Sequence, residues 1–321
     1  MASAEPTTTG EPTTTGKPTT TANPTTTSKP TATGESSATG VIHDIGYQRY
    51  TGPRLGRGYA VRSLYTHSVR TAFGLGRSAK AKVFPWIVVG LAFAIALIAV
   101  VVRSQTGQVF ISYVQFPDTV SIPLLLFLAV VTPELVSRDL RAHVLPLYFS
   151  RPLARSDYAL AKLAAMTSAT WLLLAGPLLL MVVGGVFTQT HGWSGSWHEL
   201  TDFLGGLAYA AIYAVLYSAI ATLVASLAGR RAIAAAAIVA VFLVTAPVVG
   251  VLTAIGGATL RKAAPMINPV TLVQGIKTTL YGAAPDRLDV GLFGPMYVSV
   301  AVAIVIVCTT LLLARYRKVG T

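Results

Sequence analysis

Hydropathy and charge predict an all-α membrane protein: six transmembrane helices preceded by an interfacial amphipathic helix and a disordered tail. Hydrophobic residues make up 53% of the 321 and charged residues 12%, about half the charged share of an ordinary soluble domain. Six apolar stretches have membrane-crossing length, since ~30 Å of hydrocarbon at 1.5 Å per residue takes about 20 residues. Lys and Arg are distributed unevenly between them.

Three regions follow, at 1–40, 41–82 and 83–318. The first repeats a six-residue unit, beginning EPTTTG, EPTTTG and KPTTTA, with Pro always second. A polar tract broken so regularly by Pro buries no core, which predicts a disordered spacer. It does not read as a signal peptide, because no basic segment followed by an apolar one precedes it. In the second region Val61, Leu64, Tyr65, Val69, Ala72 and Phe73 recur at helical spacing, interleaved with Arg62, His67, Arg70 and Arg77. That pattern predicts an amphipathic helix over 59–82, its basic face against anionic lipid.

The predicted spans are 83–102, 119–135, 163–187, 203–227, 232–255 and 294–314. The second is the shortest and carries Pro123 and Pro133. Of 25 Lys and Arg residues, 20 fall on the side of both termini and 5 on the other. The positive-inside rule therefore places both termini in the cytoplasm of a multi-pass protein of the cell membrane. The net charge of +13 reads as this bias and not as a nucleic-acid interface. Trp193 and Trp197 lie in a 3–4 connection without Lys or Arg, as expected of an outer-interface anchor. Cys308 is the single cysteine and reads as a packing residue.

Chemistry in this chain alone is not expected. No GxxxxGK[ST], HExxH, CxxC or GxSxG run occurs, so there is no phosphate cradle, metalloprotease helix or nucleophile elbow, and no catalytic residue is assigned. His191 and His198 lack a third ligand, so no metal site is assigned either. The spans hold almost no ionisable residue apart from Glu134, which disfavours a charge-relaying carrier. Glu134 itself is expected to pair with Arg138 one turn on. Span 4 carries Tyr209, Tyr213 and Tyr217 at intervals of four, beside a stripe of Gly206, Ala210, Ala214, Ser218 and Thr222. The stripe suits close helix approach, and the tyrosines could line a translocation path or simply pack.

Between spans 2 and 3 lies a charged, Pro-punctuated segment, PELVSRDLRAHVLPLYFSRPLARSDYALAK from Pro133. Val136, Leu140, Val144 and Leu147 share a helical face, and Pro146 and Pro152 would end that helix. As residues alone, this is equally a stiff interfacial loop or a docking surface.

The run RDLRAHVLPLYFSRPLARSDYALAK resembles the intracellular segment after the second span of ABC-2 type transporter permeases. It is closest in LPLYFSRPL followed by R, DY and K. The likeness spans about 59–318 and leaves the repeat tail outside. It implies a six-helix bundle of the type V exporter kind, in which this segment is a coupling helix received by an ATPase and the 59–82 helix is a connecting helix. Glu134, Arg138, Asp139, Arg141, Leu145, Tyr148, Arg151 and Arg155 would then be the ATPase-coupling surface. It further implies a homo- or heterodimer of permeases with two ATPase subunits that carry the ATP and Mg, and no cofactor bound by this chain. A partly membrane-inserted segment is expected within 256–293, with INPVTL as its turn. A non-transporting scaffold docking a cytosolic protein is the alternative.

Overall fold

The computed structural model describes residues 55–76, 79–136, 153–188, 192–282 and 290–318, with Gly52 and Asp139 singly. The repeat tail lies outside the described residues. Those described are helical, with no strand among them.

Helix α1, Arg57–Ala72, buries the face predicted for it: Leu64 and Ala72 are buried and Val61, Tyr65 and Val69 half-buried, while Arg62, His67 and Arg70 are exposed. It stops ten residues earlier than the predicted 59–82. Gly74 adopts φ +69°, a conformation costly for residues with a Cβ, and a Cβ there would also meet the Ala81 carbonyl at 2.8 Å. Lys80 and Lys82 therefore belong to α2, Ala79–Thr106. A four-residue turn of helix, α3 at Phe116–Thr119, leads into α4 at Ser121–Leu135. Long helices α5, Arg155–Thr188, and α6, Gly192–Leu227, follow.

The fifth predicted span is two helices, α7 at Arg231–Leu243 and α8 at Thr245–Ile255. Pro247 explains the break at Val244, because it has no N–H for the Leu243 carbonyl and its ring crowds that group. After α9, Ala258–Ala263, a 3-10 turn at Ala264–Ile267 leads to α10, Pro269–Tyr281. Helix α11 runs Gly294–Lys318.

Among the described residues, five helical stretches are long and apolar enough to cross a membrane, against the six expected. The exception is α4, whose 15 residues reach only about 22 Å. Its hydropathy had suggested a full span, but most of its side chains are buried against other helices, so its apolarity reflects packing as well as lipid. Helices α5 and α6 form the centre, their most apolar stretches 50% and 67% buried against 22–28% for the other crossing helices. Around them pack α1 and α2 on α5, α11 on α6, and α7 against α4 and α6. The small-residue stripe of α6 is buried throughout, and Ser218 meets Thr170 of α5 at 3.1 Å.

Candidate functional site

Polar groups concentrate in two layers of the bundle. One layer lies where α1 begins and α11 ends, and it contains the described part of the predicted coupling surface. Asp139 accepts a hydrogen bond from the Tyr158 hydroxyl at 2.6 Å and pairs with Lys162 at 2.9 Å. Lys162 is buried and its ammonium sits 5.5 Å over the Tyr158 ring. That ring packs on Tyr316 of α11 at 5.3 Å. Glu134, at the end of α4, pairs with Arg231 at the start of α7, an interhelical partner that single-helix spacing could not reveal. Arg155 donates to the Arg317 carbonyl at 2.7 Å, satisfying a group that the end of α11 leaves open. Asp157 receives both guanidinium bonds of Arg57, at 2.5 and 2.6 Å, so α1 is tied to the first turn of α5.

Three of the eight predicted coupling residues, Glu134, Asp139 and Arg155, thus lie in one layer that links α4, α5, α7 and α11. Arg138, Arg141, Leu145, Tyr148 and Arg151 lie outside the described residues.

The second layer is at the opposite end of α2, α5 and α6, and the expectation of a bundle nearly free of charge fails there. Arg103 of α2 pairs with Glu199 of α6, and Tyr113 donates to the same carboxylate at 2.5 Å. Burial, with the bond to Glu199 behind it, lifts the Tyr113 phenol well above its ordinary value, so it remains a donor. Asp118 of α3 is engaged on both oxygens. Oδ1 accepts from Tyr209 at 3.0 Å and Tyr213 at 2.5 Å, and Oδ2 pairs with Lys277 of α10 at 2.7 Å. Glu199 and Lys277 are each 6% exposed.

The three tyrosines of α6 are all buried within the bundle. Two are hydroxyl donors to Asp118, while the Tyr217 hydroxyl has no hydrogen-bond partner among the described residues and its ring packs on Phe242 at 4.5 Å. Sequence reasoning missed Arg103, Asp118, Glu199 and Lys277 because each falls in a segment that hydropathy assigns to a loop. The available signal was Asp118 next to Pro117 at the mouth of an apolar run, with no Lys or Arg between Arg103 and Arg138 to neutralise it locally.

Asn268 organises the α8–α10 region as the INPVTL turn predicts. Its side-chain oxygen accepts from the Val270 and Thr271 amides and caps α10, while its amide donates to the Phe242 carbonyl at 3.0 Å, beside the α7–α8 break. The capped helix then delivers Lys277 to Asp118.

A multi-helix membrane protein with, among the described residues, five crossing-length helical stretches and two ionic layers is the class these observations define. The sequence matches no protein-family model, and a search of curated proteins finds no match.

Proposed function

We propose that the chain is the transmembrane permease subunit of an ATP-binding cassette exporter, with ATP hydrolysed on a separate cytoplasmic subunit. The carrying observation is the ionic layer around Asp139. The segment that resembles a coupling helix begins and ends on residues bonded to α5, α7 and α11, so a force on it reaches three crossing helices. A loop serving only as positive-inside charge has no need of a buried Lys162 or of a Tyr158–Tyr316 contact.

In this reading both termini are cytoplasmic, the membrane is the cell membrane, and the six-helix arrangement is completed by α4 despite its length. Two copies, or this chain and a related one, assemble with two ATPases. Closure of the ATPases on ATP pushes the 136–152 segments, and α5 and α11 carry the displacement to the far layer. The cargo class is amphipathic or hydrophobic. Purification of the tagged chain from its native membrane tests the assignment: a Walker-type ATPase without spans should co-purify at one copy per permease. Recovery of a cytosolic partner with no nucleotide-binding motif would leave the scaffold reading in its place.

One observation favours a second reading. The buried Asp118–Lys277 pair with two tyrosine donors is the kind of group that relays protons in carriers driven by an ion gradient. Transport that survives ATP depletion and collapses with the proton gradient would select it.

A further inference from the structure

Between the α2–α3 connection, α6 and the end of α10 lies a cavity of about 360 Å³, lined by Arg103, Tyr113, Glu199, Asp202, Lys277 and Tyr281 among others. Its size falls at the lower end of small-molecule sites, which suits a compact group and not a long chain. Four lining residues are charged, but three are already neutralised. Arg103 is paired with Glu199, and Lys277 with Asp118 behind the wall. Asp202 lines the cavity with an exposed carboxylate that makes no ion pair among the described residues. Among the described residues, the charges in and immediately behind the cavity therefore sum to one surplus negative charge. Two tyrosines line the same space, and aromatic faces attract cations. Tyr113 is held by Glu199 and Tyr281 by the Gly205 carbonyl at 2.9 Å, so both are fixed in place before any ligand arrives. An anion would meet cations that are already committed to carboxylates.

We propose that this cavity binds a monovalent organic cation, an amine or onium group on an apolar body, with Asp202 as its counter-charge and Tyr113 and Tyr281 beside it. As a claim about cargo this rests on the transporter reading; as a claim about binding it does not. The test is equilibrium binding to the full-length chain in lipid nanodiscs, without any ATPase, using labelled tetraphenylphosphonium. Tetraphenylborate, alike in shape and opposite in charge, serves as comparison, and empty nanodiscs correct for partition into lipid. The phosphonium should bind saturably and the borate should not. Asp202→Asn should weaken phosphonium binding about tenfold, and Asp202→Glu should stay within about threefold of wild type, the scale of one charge contact at a partly wet site. Because Asp202 is exposed, neither change disturbs packing. Equal binding of the two ions, wild-type affinity in Asp202→Asn, or partition without saturation would each overturn the proposal. None of these results alters ATP turnover at the opposite layer, so failure here is distinguishable from failure of the transporter reading.

Discussion

Replacing Asp118 by Asn removes the counter-charge of Lys277 while keeping the shape of the side chain. Lys277 is 6% exposed and its ammonium lies 2.7 Å from Asp118 Oδ2, so the variant strands a buried cation. Breaking a buried pair from one side costs about 3–5 kcal/mol, because the remaining charge keeps its desolvation penalty and loses its partner. The Tyr209 and Tyr213 hydroxyls lose less, since the Asn oxygen still accepts from them. At roughly 2–4 °C per kcal/mol for a domain of this size, the thermal midpoint should fall by about 10 °C. The assay is thermal unfolding of the purified chain in nanodiscs, with variants compared at one scan rate because unfolding of such proteins is often irreversible. Lys277→Met should cost a similar amount. The double variant, with both charges gone, should recover most of the loss, because an ion pair replaced as a unit by uncharged side chains is often neutral. A midpoint within about 2 °C of wild type for Asp118→Asn, or a double variant no better than the worse single one, would refute the reasoning.

The remaining predictions concern packing and the tail. Gly275→Ala drives a Cβ into the fully buried Tyr297 ring, so α10 and α11 must separate; a loss of about 1–3 kcal/mol is expected in the same unfolding assay, and an unchanged midpoint would contradict the close approach. Deletion of residues 1–40 should leave membrane insertion and the thermal midpoint as in the full chain, since a Thr/Pro tract buries no core. Loss of activity in a normally inserted deletion variant would show that the tail is more than a spacer.

Much of the architecture was legible because burial in lipid and burial in protein both require apolar helices. The inward face of α1 could be read from spacing, and the turn before α10 was expected at INPVTL. The boundaries that failed did so for local reasons. Gly74 ends α1, and Pro247 divides a continuous apolar stretch at Val244, three residues before the proline. Helix α4 is shorter than the other apolar stretches, and hydropathy could not show how much of its Leu-rich run is covered by other helices. The far ionic layer was illegible because its two ion pairs join residues 96 and 159 apart along the chain, and charge pairing at that separation is a property of the fold. Glu134 shows the same limit: spacing could not show Arg231 on a different helix as a partner, while its expected pairing with Arg138 lies outside the described residues. The aromatic interval in α6 marked three residues that do lie together, but spacing could not show that two of them serve an aspartate.

Central to this account is that the segment after α4 receives force from an ATPase. The most direct measurement is ATP hydrolysis by the co-purified complex in nanodiscs, with wild-type chain and with Arg151→Glu at matched assembly. The account predicts that the charge reversal leaves the complex assembled and slows hydrolysis by about tenfold or more relative to wild type, as expected when a charged contact between coupled subunits is inverted. An assembled Arg151→Glu complex that hydrolyses ATP as wild type does would contradict it.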